Sequence, residues 1–138
     1  MKVLQTLVKL NKSKLDKVLA KIKKVEQEKA NLILRKDKIK KESEEEANKY
    51  SNSQYAYMLD QYLQNSRKLQ TRIQAQIDRL DKDLEFLQQE LKEQFSELKK
   101  FEIALENKKH LVQTKIKQQE TKYLDELNTN KFAYNQKN

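Results

Sequence analysis

The chain has 138 residues, a formal charge of +9 at pH 7, and no Gly, Pro or Cys. An ordinary chain of this size would carry about ten Gly and about seven Pro, so tight-turned β folds and Gly-rich phosphate loops are excluded. Without Cys there are no disulfides and no thiolate metal sites, and a cytosolic location becomes the default. Apolar residues make up 36% and charged residues 37%, against roughly 45–50% and about 25% in globular domains. That is too little apolar matter for a compact core, but enough for a stripe along a long helix.

The first element is a helix over about 3–47. Leu4, Val8, Asn11, Leu15, Val18, Ile22, Val25, Lys29, Leu32, Lys36, Ile39, Ser43, Glu46 and Tyr50 follow one another by steps of four and three. A 3.5-residue period held over several heptads means a coiled coil. The stripe is firm to Val25 and is expected to fray after Ile39. No run is apolar enough for a membrane span, the longest aliphatic stretch being Leu32-Ile33-Leu34. Lysines interrupt the N-terminal stretch, so no signal peptide is expected.

A turn is expected over about 48–54, where Asn48, Ser51, Asn52 and Ser53 offer local side-chain to backbone hydrogen bonds. Ser51 or Ser53 is the expected cap of the second helix. Tyr50, Tyr55, Tyr57 and Tyr62 cluster around this turn. They suit either a half-buried hairpin end or a second interface.

The second helix is expected over about 55–130, with 133–138 as a frayed tail. Leu59, Leu63, Ser66, Gln70, Ile73, Ile77, Leu80, Leu84, Leu87, Leu91, Gln94, Leu98, Phe101 and Leu105 form its stripe. Beyond Leu105 the phase drifts to Val112, Ile116, Tyr123 and Leu127, as in a stutter. The expected fold is all-α: one domain over 1–138, a long antiparallel two-helix coiled-coil hairpin with a longer second helix. Folding back near residue 52 sets Leu4 against Phe101, Val18 against Leu87 and Lys36 against Gln70. It also sets Asn11 against Gln94, a buried amide layer expected to fix the register. Residues after about 103 then lack an intrachain partner, although Leu111, Val112, Ile116, Tyr123, Leu124, Leu127 and Phe132 lie there.

Charge is uneven. Residues 1–41 hold 14 Lys+Arg and 4 Asp+Glu, a balance of +10, and residues 42–138 hold 16 and 17, a balance of −1. Over residues 106–122, Lys108, Lys109, Lys115, Lys117 and Lys122 outnumber Glu106 and Glu120. A basic, partly unpaired end suits docking against an acidic protein surface. The residues also permit other readings. The basic first third could be an electrostatic footprint on nucleic acid, but 13 of its 14 basic residues are Lys, whereas Arg is the usual base reader; no nucleic-acid partner is expected. A membrane-surface helix would need the apolar face that helix two already covers. A structural coiled coil could self-associate through residues 103–132. Catalysis has little to use: His110 is the lone histidine, and acidic neighbours such as Asp81 and Asp83 do not share a helix face. No enzyme activity, cofactor or metal is expected.

Three features resemble the FliJ family of bacterial flagellar export and its YscO-type injectisome relatives. They are the opening Leu4-Gln5-Thr6-Leu7-Val8-Lys9-Leu10, the two-helix layout with a longer second helix, and the stretch Gln119-Glu120-Thr121-Lys122-Tyr123-Leu124-Asp125-Glu126-Leu127. The resemblance implies a stalk like the central subunit of rotary ATPases. It would bind a hexameric export ATPase, contact the cytoplasmic domain of the export gate and help cycle export chaperones, in the cytoplasm at the inner face of the membrane. The ATPase-facing end would be Lys108, Lys109, Val112, Lys115, Ile116, Tyr123, Leu124, Asp125, Glu126 and Leu127. Tyr50, Leu69 and Ile73 would face the gate, with Leu69 where an aromatic is often found.

Overall fold

The computed structural model describes residues 1–137, with side chains as far as Ala133. The fold is all-α: α1 spans Lys2–Tyr50 and α2 spans Ala56–Lys137. They pack as a helical hairpin whose second arm, at 82 residues, outruns the first at 49. α1 outruns its expected bounds at both ends and α2 at its C-terminal end, because neither contains a Gly or Pro to stop it. Helix therefore covers 133–137 of the stretch expected to fray, and Asn138 lies outside the described residues. No helix among the described residues is long and apolar enough to cross a membrane.

The reversal is made by Ser51–Tyr55 without a single positive φ. Ser53 does most of the work. Its Oγ donates to the Tyr50 carbonyl at 2.9 Å and accepts from the Tyr55 N–H at 3.1 Å. Its own N–H donates to the same Tyr50 carbonyl at 3.1 Å. One serine thus closes the end of α1 and caps α2, satisfying donors and acceptors that a helix end leaves orphaned.

Every member of the stripe from Leu4 to Tyr50 is buried or half-buried, and so is every member from Leu59 to Leu105. The α1 stripe does not fray after Ile39. Ser43 is buried, and Glu46 and Tyr50 are half-buried. The hairpin groups into two compact units, Lys14–Gln94 and Met1–Ser13 with Phe95–Asn138.

In the Lys14–Gln94 unit, three polar contacts cross between the helices and show that they run antiparallel. Lys29 Nζ lies 2.5 Å from Asp81 Oδ1, Lys36 Nζ donates to Gln74 Oε1 at 2.7 Å, and Ser43 Oγ bonds Ser66 Oγ. These pairs overturn the expected register. Lys36 meets Gln74 rather than Gln70, one helical turn further along α2. Val18, Ile73 and Ile77 are the buried apolar residues of this unit.

The registry layer is also different from the expected one. Asn11 is buried, but its Nδ2 donates to the Leu7 carbonyl of its own helix at 2.8 Å. Gln94 keeps a buried Oε1 with no hydrogen-bond partner among the described residues. No hydrogen bond joins these two amides among the described residues; the hydroxyls that meet across the helices are those of Ser43 and Ser66. Gln70 Nε2 donates to Ser66 Oγ at 3.2 Å, and Ser43 Oγ donates to the Ile39 carbonyl at 2.8 Å. The Ser66 hydroxyl proton is then free to bridge to Ser43, and the chain of donors and acceptors is complete.

Ser66→Ala should therefore cost about 1–2 kcal/mol, because the half-buried Gln70 loses its acceptor and the bond to Ser43 is lost. The pair Ser43→Ala with Ser66→Ala should cost less than the two single changes summed, since removing both polar partners is milder than orphaning one. Urea unfolding of the four proteins checks this; strictly additive losses would show that the serines do not act together.

In the second unit, Val8, Asn11 and Leu98 are buried, with Leu4, Leu7, Phe101 and Leu105 half-buried. The Met1 amino group lies beside Lys108. Partial desolvation, and then this neighbouring ammonium, hold the amino group below its ordinary value.

Candidate functional site

α2 continues as helix past the last residue that the seam covers. From Glu106 to Ala133 every residue is exposed. This stretch carries Leu111, Val112, Ile116, Tyr123, Leu124, Leu127 and Phe132 into solvent. Tyr123 is 62% exposed and Leu124 58% exposed, far beyond what a seam position shows. All ten residues expected at the ATPase-facing end lie on this exposed segment, Lys108 at its start beside the Met1 amino group.

Their arrangement follows from helix geometry. At about 3.6 residues per turn, Leu105, Val112, Ile116, Tyr123 and Leu127 fall within an arc of roughly 60°. They continue, in shifted phase, the stripe that is half-buried at Leu105. Lys108, Lys115 and Lys122 recur every seven residues along one flank of the arc, which Glu126 shares, and Lys109 stands at the other edge in line with Leu127. An apolar stripe with charged flanks is the surface a partner helix docks against, and the flanking charges select that partner. Leu111, Leu124 and Phe132 lie off the arc, so the segment offers apolar contacts on more than one side. His110 is part of a surface pair, with Nε2 3.4 Å from Glu106 Oε1 and both side chains mostly exposed.

The residues expected to face an export gate do not form one patch. Ile73 is 2% exposed and belongs to the seam, so it cannot meet a partner while the hairpin is closed. Tyr50 is half-buried at the turn, and Leu69 is half-buried on α2. Tyr50 lines a cleft with Leu59, and Leu69 lies about 15 Å further along the helix at about 1.5 Å per residue. Only Tyr50 takes part in a formed surface feature.

That feature is the cleft itself, about 470 Å³, walled by Glu46, Tyr50, Tyr55, Met58, Leu59 and Tyr62. The tyrosine cluster was visible in the sequence, but the part played by Glu46 and Met58 was not. Glu46 belongs to the α1 stripe by its heptad position, and it is half-buried beside the turn. Tyr57, 78% exposed, stands outside the cleft.

No family model, curated protein or solved structure matches the chain.

Proposed function

We propose that this protein is a non-catalytic stalk of a type III protein export apparatus, flagellar or injectisome. The free segment of α2 docks on the hexameric export ATPase. The turn side of the hairpin contacts the export gate, and export chaperones exchange on the assembly. The working location is the cytoplasm, at the inner face of the membrane.

One observation supports this most: an unpartnered helical segment with an apolar arc and lysine flanks. A stalk must hold a long helix clear of its own fold so that a ring can grip it. The seam that ends at Leu105 leaves such a helix, and the lysines steer it toward an acidic wall. Binding would stabilise the assembled hexamer by contacting it and not its separated subunits, which is linkage and needs no chemistry.

The test is capture from native cytosol at about 0.3 M salt, where the Debye length is roughly 6 Å, read by mass spectrometry. The expected result is recovery of an export ATPase. Joint reversal of Lys108, Lys109 and Lys115 to Glu should lower that recovery at least about tenfold, as like charges replace complementary ones. Recovery of this chain alone, of nucleic acid that washes off with salt, or of an ATPase indifferent to the reversal would overturn the proposal.

A further inference from the structure

The turn carries chemistry that the free helix does not. Residues 42–62 hold Glu42, Glu44, Glu45, Glu46 and Asp60 against Lys49 alone, five acids to one base, in a chain whose net charge is +9. The cleft opens in the middle of this acidic stretch. Tyr50 and Tyr55 stand edge to face, with ring centroids 6.3 Å apart and planes at 90°. Two ring surfaces thus meet at a corner. Tyr62 adds a third ring, Met58 and Leu59 supply apolar wall, and Glu46 is the one carboxylate in the lining. Among the described residues, no ion pair engages Glu46.

Aromatic faces attract cations through their quadrupole, and a carboxylate at the edge adds direct charge. The structure already shows such attraction here, since Lys49 Nζ lies over the Tyr50 ring at 5.3 Å from its centroid. A planar guanidinium suits the site better than an ammonium. It stacks on a ring, is more weakly hydrated, and can engage a carboxylate with two N–H groups at once. We propose that the cleft formed by Glu46, Tyr50, Tyr55 and Tyr62 is a binding site for an arginine side chain presented by a basic segment of a partner protein. The acidic surround draws the segment in, and the rings with Glu46 hold the guanidinium. The cleft lies on the turn side proposed above to contact the export gate, but this inference stands apart from docking of α2 on the ATPase, and its probe is a peptide.

The experiment uses the full chain with its tyrosine rings carbon-13 labelled, titrated with an alanine-based peptide bearing one central arginine. The matched control replaces arginine by citrulline, which keeps the shape and loses the charge. Ring resonances of Tyr50, Tyr55 and Tyr62 should shift together and saturate in the millimolar range, while Tyr57 and Tyr123 stay still. Citrulline should weaken binding at least about tenfold, and Glu46→Gln about fivefold or more. Tyr62→Leu, which keeps apolar contact but removes a ring face, serves as a second variant should Glu46→Gln disturb the helix. Equal binding of the citrulline peptide, equal shifts at Tyr123, insensitivity of binding to the variants, or no saturable shift would overturn the proposal. None of these outcomes bears on capture of an ATPase by α2.

Discussion

Ile77→Asp should unfold the Lys14–Gln94 pairing, with a loss of more than about 4 kcal/mol. Ile77 is 5% exposed and sits with Ile73 and Val18 among the few buried apolar side chains of that unit. A narrow seam has no second layer to absorb damage, so each buried residue carries a large share of the pairing. A carboxylate there would lose its water without gaining a cation. The neighbouring Lys29 and Lys36 are already engaged with Asp81 and Gln74. Ile77→Ala should cost less, about 2–4 kcal/mol, by transfer and cavity terms alone. Leu34→Ala is the control, because Leu34 points outward, and it should stay within about 0.5 kcal/mol. Thermal and urea unfolding followed by far-ultraviolet circular dichroism reads all three. A result in which Ile77→Asp is no worse than Leu34→Ala would mean that the helices do not pair along this stripe.

Removing the chain after Leu105 should abolish capture of the export ATPase while leaving the stability of the hairpin within about 0.5 kcal/mol. The two expectations share one cause. Residues from Glu106 to Ala133 are exposed throughout and so add little to the pairing. The same residues hold the whole of the apolar arc and its lysine flanks. Co-purification with the shortened chain, beside an unfolding curve, reads both effects. If the shortened chain still captures the ATPase at full yield, the docking surface lies elsewhere and the stalk proposal fails. If its midpoint drops with loss of helix throughout, the free segment has a structural role that its exposure contradicts.

The lysine reversal and the truncation separate two contributions to docking. If the proposal holds, the lysine flanks would act mainly on approach, so their reversal should slow association and invert its salt dependence. The arc of Val112, Ile116, Tyr123 and Leu127 would act on residence, since apolar burial is lost only when the complex separates.

Much of the architecture was legible because a heptad pattern is periodic and local. Stepping by four and three from Leu4 to Tyr50, and from Leu59 to Leu105, places every one of those residues on the inward side. The all-α class followed from the missing Gly and Pro, and the unequal arms from where the turn residues lie. A serine cap, Ser51 or Ser53, was readable too, because a serine just before a helix has a specific use for its hydroxyl; the hydrogen bonds single out Ser53. The free segment followed by subtraction, since a short arm cannot cover a long one. Of the candidate surfaces, the lysines and apolar residues of α2 were open to reading in this way.

The register was decided only in three dimensions. A two-residue delay in the reversal moves every facing position by one helical turn, and the apolar seam tolerates either setting, because Leu, Ile and Val satisfy each other in both. Polar side chains break the tie, and the choice among them depends on reach. An amide such as Asn11 can satisfy itself on its own helix, at the Leu7 carbonyl, so it need not find another amide. Two short serine hydroxyls cannot extend far, and Ser43 and Ser66 must lie opposite to share a proton. The burial of Ile73 and the inward turn of Glu46 into the tyrosine cleft have the same origin: heptad phase gives a residue its side of the helix, but only the packed partner and the turn decide whether that side is closed, as over Ile73, or left open, as over Glu46.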